Sequence, residues 1–117
     1  SERVIQKKEM ANGCMLICKG YDTFKPLGPW IATELDPADL QLTTRVNGDV
    51  KQSSSTSDLI FPVAQLIEYM SAAMTLLPGD IIITGTPSGV GDIQPGDEIV
   101  IDIEGIGTLS NSVVAEG

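Results

Sequence analysis

Histidine is absent from the 117-residue chain. That excludes Ser-His-Asp and Cys-His catalysis, His-ligated zinc and imidazole acid–base chemistry from its own side chains. Any catalysis has to use carboxylates, lysine, hydroxyls, backbone groups or a metal held by oxygens. Cysteine is scarce: Cys14 and Cys18 are the two present. On a helix they would share a face, where the backbone geometry does not favour a disulfide, and two thiols without further Cys or His do not make a zinc site. They read as small buried hydrophobes in a reducing, cytoplasmic setting. No run of about 18 apolar residues is present, so no membrane span is expected. No charged stretch followed by an apolar one opens the chain, so no signal peptide is expected. Basic residues are missing from residues 52–117, which hold nine acids, while residues 1–51 hold all seven bases and seven acids. The second part therefore carries the whole net charge of −9. Such a surface repels phosphate, which makes nucleic acid and anionic lipid poor partners. A small anionic ligand has to meet the few cations of the first part.

What is present is enough to fold: 42% of the residues are hydrophobic and 20% charged, outside the range of disordered chains. Residues 1–11 read as a short helix, capped by Ser1 and stopped by Asn12-Gly13, with a thin apolar face. Cys14 to Cys18 is a brief apolar run. Tyr21 to Asp39 is proline-rich and reads as a rigid loop with a short strand at Trp30–Thr33 and Trp30 as a plug under it. Leu40 to Val46 alternates, with Leu40, Leu42, Thr44 and Val46 on one side, as a half-buried strand does. Asn47-Gly48 predicts a hairpin turn and a returning strand at Val50–Ser54. Gln52 to Asp58 is Ser/Thr-rich and reads as loop. Residues 62–75 form the main predicted helix, with Pro62 at its first position and a core stripe of Val63, Leu66, Ile67, Met70, Ala73 or Met74, and Leu77.

Pro78-Gly79-Asp80 is echoed by Pro95-Gly96-Asp97, each a type II turn expected to launch an apolar strand, Ile81–Ile83 and Ile99–Ile103. In the second strand Ile99, Ile101 and Ile103 share one face and Val100, Asp102 and Glu104 the other. Gly105-Ile106-Gly107 turns the chain, and Thr108–Val114 returns antiparallel. The pattern is α+β and mainly β, with five or six short strands and two helices, not alternating as in a parallel sheet.

Four features could carry chemistry. Thr84-Gly85-Thr86-Pro87-Ser88-Gly89-Val90-Gly91 follows an apolar stretch, and its glycines let backbone N–H groups approach a ligand beside two hydroxyls. It lacks the spacing of a dinucleotide fingerprint and the lysine of a P-loop, and a tight turn is the plain alternative. Asp102 with Glu104, and Glu34 with Asp36 near Asp39, are carboxylate pairs that could hold Mg²⁺ or Ca²⁺. Among so many acids such pairs also arise as solvated faces or turn caps. Lys19 sits between an apolar run and Gly20-Tyr21, as an anion-orienting or a snorkelling lysine would. Arg3 and Gln6 share a helix face and could present donors to a carboxylate.

In order along the chain stand Ser1-Glu2-Arg3-Val4-Ile5-Gln6, Lys19-Gly20-Tyr21-Asp22-Thr23-Phe24, Pro26-Leu27-Gly28-Pro29-Trp30-Ile31, Val46-Asn47-Gly48, Thr56-Ser57-Asp58-Leu59-Ile60-Phe61, Pro78-Gly79-Asp80, Thr84 to Gly91 and Gly105-Ile106-Gly107. This set resembles the catalytic domain of the fumarylacetoacetate hydrolase family over essentially the whole chain. The resemblance implies a mixed β-roll that dimerises, and a divalent metal, Mg²⁺ or else Mn²⁺ or Ca²⁺, held by acidic residues. It implies small anionic 2-oxo or 2-enol acids as substrates. The reactions it implies are hydrolysis of a C–C bond beside a diketone, decarboxylation, and isomerisation of 2-hydroxy-dienoates in aromatic catabolism. By the same resemblance Arg3 and Gln6 face the substrate pocket, Lys19 stands beside the metal as the catalytic residue, and Thr23 is near it as an outer-shell group. Gly85 and Thr86 bind the substrate's carboxylate end.

The family's metal ligands would lie upstream of Ser1, so residues 1–117 are expected to be one partial domain carrying no metal ligand of its own, and Asp102, Glu104, Glu34 and Asp36 do not match ligand positions. Two functions follow as expectations: a divalent-metal-dependent enzyme on small oxo acids, probed by metal binding and turnover, or a catalytically incomplete piece serving folding or dimer contacts. An acidic interaction module would show neither metal nor oxo-acid binding.

Overall fold

Asn47 and Gly48 take up left-handed backbone, with φ of 52° and 86°, the geometry that lets a two-residue turn match the twist of its strands. In the computed structural model, which describes Ala11 and residues 19–115, this turn joins β1 (Gln41–Val46) to β2 (Asp49–Ser55). A short 3-10 helix (Thr56–Asp58), the helix α1 (Val63–Ala73), β3 (Glu98–Ile103) and β4 (Gly107–Ser112) follow. The sheet order is β2-β1-β3-β4, and every pairing is antiparallel. Apart from Ala11, the expected helix over residues 1–11 lies outside the described residues, as does the run from Cys14 to Cys18.

The alternation seen in the sequence becomes a two-faced sheet. Leu42, Thr44 and Val46 stand opposite Ile103, Ile101 and Ile99, and Leu109 stands opposite Ile101. Paired residues share a face, so one face is apolar and the other carries Thr43, Arg45, Asp102 and Thr108. β2 is an edge strand with a bulge: the register shifts between Thr44 and Arg45, so Gln52 rather than Lys51 stands opposite Thr44.

The strand β2 continues through Ser55, and the polar residues after it are helical rather than loop. Ser55 caps the 3-10 helix: its side chain accepts from Ser57 N, and Asp58 accepts from Ser55 N in return. These reciprocal bonds explain why a run that reads as loop is ordered. Thr56 ties this helix to β1, with its hydroxyl accepting from Leu40 N at 2.8 Å and its own N–H donating to Leu40 O at 3.0 Å. Leu40, 9% exposed, is the single buried hydrophobe among the described residues.

The proline-rich loop packs on the β3–β4 turn. The Trp30 indole donates to Ile106 O, and a Cβ on Gly107 (φ 119°) would meet the Trp30 ring at 2.6 Å. Trp30 therefore covers the turn from outside, still 58% exposed, and residues 30–33 form no strand. They pair with no neighbouring strand in the sheet. Ile81–Ile83 likewise belongs to no strand. The stripe of α1 is covered only in part: Val63, Leu66 and Met70 are half-buried while Ile67, Met74 and Leu77 are exposed, because the substantial contacts between elements are strand on strand. The chain exposes 8978 Å², against about 6,100 Å² for a folded domain of this mass by size scaling. Much apolar surface is thus uncovered by the described residues.

Candidate functional site

The glycine-rich segment is fastened to the bulged edge of β2. Gly85 and Gly89 hold φ of 104° and 100°, a region open to glycine at little cost. At Gly89 closeness adds to conformation, since a Cβ there would come to 1.9 Å from Lys51 O. One residue on, the Gln52 amide Nε2 donates to Thr86 Oγ1 at 2.9 Å and to Pro87 O at 3.0 Å. Two adjacent residues of one strand thus set the position of the segment.

That fastening makes one wall of a cavity of about 430 Å³, formed by Thr84 to Pro87. A polar wall comes from Ser54, Ser55, Thr56 and Asp58, and apolar lining from Leu42, Leu59, Ile60, Phe61 and Leu66. The Ser54 hydroxyl, donating at 2.6 Å, and the Ser55 N–H, donating at 3.0 Å, hold the Asp58 carboxyl below the usual aspartate range. Asp58 is therefore an ionised cap at neutral pH rather than a proton donor. Among the described lining residues there is no cation; the wall offers hydroxyls and also carries the ionised Asp58 carboxylate.

On the sheet's polar face Gln41, Thr43, Asp102 and Glu104 line a shallower hollow. Its carboxylates are engaged locally: Asp102 accepts from Thr108 Oγ1 at 2.9 Å and Glu104 from Gln41 N at 3.2 Å. Asp36 caps Ala38 N, and Asp39 accepts from the Ser55 and Ser57 hydroxyls. Among the described residues no three of Asp, Glu, Cys or His converge as metal ligands.

Of the residues singled out from sequence, Gly85 and Thr86 meet at the cavity. Lys19 is half-buried at the start of the continuous described stretch. Thr23 sits in a turn with φ 64°, between Tyr21 and Phe24, whose ring centroids are 5.4 Å apart. Neither lines this cavity. Arg3 and Gln6 lie outside the described residues. The sequence reading missed Gln52. Counting back from a two-residue turn puts Lys51 opposite Thr44 and Gln52 on the polar face; the bulge moves Gln52 to the apolar side, and its composition gives no sign of a bulge.

The family model for the C-terminal region of fumarylacetoacetate (FAA) hydrolase matches residues 1–114. The chain belongs to the fumarylacetoacetate hydrolase family. Its fold agrees with that of solved members. A crystal structure of 2-hydroxyhepta-2,4-diene-1,7-dioate isomerase from Mycobacterium marinum superposes with a TM-score of 0.89 at 55% identity, covering 95% of this chain and 44% of that one. Maleylpyruvate hydrolase from Sphingobium sp. SYK-6, solved in complex with manganese(II) and pyruvate, gives 0.80 at 48% identity, over 84% of this chain and 38% of that one. A 4-hydroxyphenylacetate degradation bifunctional isomerase/decarboxylase from Salmonella dublin is 50% identical over 101 residues, 84% of this chain and 24% of the relative. This chain spans less than half the length of each.

Proposed function

We propose that the protein containing this chain is an enzyme of small 2-oxo or 2-enol (di)carboxylic acids in aromatic catabolism, acting by C–C bond hydrolysis, by isomerisation of 2-hydroxy-dienoates or by decarboxylation. The observation that carries the reading is the wall from Thr84 to Pro87. It offers a threonine hydroxyl and a glycine-opened backbone to a cavity with apolar lining. A short carbon skeleton ending in a carboxylate fits that division: the skeleton against Leu59, Phe61 and Leu66, the carboxylate against neutral donors. The relatives supply the reaction class, since an isomerase, a hydrolase and an isomerase/decarboxylase share this fold or sequence.

In this reading Thr86 and the Gly85 backbone hold the distal carboxylate, Arg3 and Gln6 orient the substrate, and Lys19 places positive charge beside the reacting oxygen. A divalent ion, Mg²⁺ or alternatively Mn²⁺ or Ca²⁺, would stabilise an enolate as a Lewis acid when bound. Its ligands would come from outside the described residues, with Thr23 in its outer shell. Residues 1–117 are one portion of a larger catalytic domain whose remaining strands complete a mixed roll with the helix over residues 1–11. The protein works as a cytoplasmic homodimer.

The test is turnover by the whole protein, with Mg²⁺ or Mn²⁺, of acylpyruvates, oxaloacetate and 2-hydroxy-dienoates. Turnover of one class supports the proposal and names the reaction; turnover of none refutes it. Thr86→Val, which keeps the shape and removes the donor, should raise KM for a dicarboxylate about tenfold, the usual worth of a hydrogen bond to a charged group. A second reading draws on the exposed apolar surface, with Ile60 at 90% and Ile31 at 87% exposure: the chain serves folding and dimer contacts only. Loss of turnover by the whole protein on Thr86→Val or Lys19→Ala, with its melting temperature unchanged, rules that out.

A further inference from the structure

A threonine hydroxyl has one proton to give and two lone pairs to receive with, whereas the NH₂ of a glutamine side chain only donates. The 2.9 Å bond between Gln52 Nε2 and Thr86 Oγ1 can therefore run in one direction, with Thr86 accepting. The same nitrogen donates to Pro87 O at 3.0 Å. A flipped amide would set Oε1 against both that carbonyl and the Thr86 oxygen, acceptor facing acceptor at Pro87. The Pro87 carbonyl thus fixes the amide, and the amide fixes Thr86. Beside this grip Gly89 passes so close to the Lys51 carbonyl that no Cβ fits there.

We propose that Gln52 is a positioning residue: by occupying Thr86 as an acceptor it leaves the Thr86 proton to donate into the cavity, which biases the site toward a carboxylate over a neutral or cationic end group. This rests on the assignment of Thr86 to the distal carboxylate. The half-buried Gln52 is itself brought to this face by the bulge in β2, so the bulge is what sets the donor against Thr86.

The probes are oxaloacetate, which has a distal carboxylate, and pyruvate, which lacks one. Both are titrated into the whole protein by calorimetry. Gln52→Met keeps the length and removes both donors. It should weaken oxaloacetate about tenfold, the loss expected for one charge-assisted bond, and leave pyruvate within about twofold, below the worth of one such bond. In a Thr86→Val background the same change should have no further effect. Gln52→Glu puts an acceptor where a donor stood. Its oxaloacetate affinity should be poor near neutral pH and recover as the pH falls toward the glutamate's pKa, about 4 when unperturbed. That recovery should persist after correction for the wild-type profile, and it also serves if Gln52→Met does not fold.

Equal losses for both ligands, or a Gln52→Met loss that persists beside Thr86→Val, would mean that Gln52 merely supports the loop and would overturn the proposal. If Thr86→Val weakens oxaloacetate while Gln52→Met does not, the inference fails and the assignment of Thr86 stands. If Thr86→Val changes neither ligand, or wild type binds no oxaloacetate, both fail.

Discussion

Pro78-Gly79-Asp80 and Pro95-Gly96-Asp97 are one turn built twice, and only the second leads into a strand. Locally the two are alike. Gly79 and Gly96 have φ of 97° and 96°. Asp80 N and Asp97 N each donate at 3.0 Å to the carbonyl three residues back, on Leu77 and Gln94. Asp80 and Asp97 each accept from those same residues' N–H groups at 2.7 Å. What differs is what surrounds them. Asp97 also accepts from the Asn47 side chain at 2.8 Å, Asn47 Oδ1 accepts from Glu98 N at 2.9 Å, and Val113 N donates to Asp97 O at 2.8 Å. The second turn is bound to the β1–β2 turn on one side and to the end of β4 on the other, and β3 follows between β1 and β4. After the first turn, Ile81 and Ile83 remain exposed and join no strand. Turn chemistry makes a turn; a strand needs a partner edge.

That contrast can be broken or sharpened by mutation of the whole protein. The largest effect is expected on the first turn's side, where the chain is fastened by the Gln52 side chain and runs close to the β2 backbone rather than forming a ladder. Gly89→Ala puts a Cβ 1.9 Å from Lys51 O at a φ of 100°, so the segment must leave β2. A loss of roughly 3 kcal/mol or more in chemical denaturation is expected, with loss of oxaloacetate binding. Next comes Asn47→Ala on the second turn's side. It removes two described side-chain hydrogen bonds and puts alanine at a φ of 52°. A cost of about 1–3 kcal/mol follows, and hydrogen exchange should show Glu98 N–H losing protection while Asp80 N–H keeps it. Equal deprotection at both would show that the two turns are coupled and the contrast false.

The smallest effect is in acid. The Gln94 N–H and then the Asn47 amide hold the Asp97 carboxyl below the usual aspartate range, with Lys51 helping. Ser54 and Ser55 do the same for Asp58. A carboxylate whose folded pKa lies below its unfolded one stabilises the fold above the unfolded value and loses that contribution as the pH falls through the folded one. Melting temperature should therefore fall below about pH 4, and fall less steeply in Asp97→Asn than in wild type. Identical slopes would count against the anchoring of the second turn.

Much was legible in the residues because it is settled within a few positions. Asn47-Gly48, both Pro-Gly turns, the alternation from Leu40 to Val46, the isoleucines of β3 and the extent of α1 were read closely, and the ordered motifs pointed to the family. Gly85 and Thr86 were picked out by a glycine-rich segment that the structure places at a cavity. Gln52 was not, because a bulge inserted at Lys51 reverses which face every later residue of β2 presents. The strands expected at Trp30–Thr33 and Ile81–Ile83 did not form, and the stripe of α1 is only half covered, for one reason. Apolar character says that a segment would gain from being covered, and not what covers it.

By itself, then, the order of residues determined where the chain turns, which positions alternate, which chemistry is impossible without histidine, and which family the molecule resembles, because those follow from side-chain identity over short spans. Only the tertiary structure decided which of two identical turns opens a strand, which face Gln52 presents, and that Thr86 is held as an acceptor beside Pro87. Those are set by contacts between residues some 35 to 50 positions apart in the chain, which no local pattern encodes.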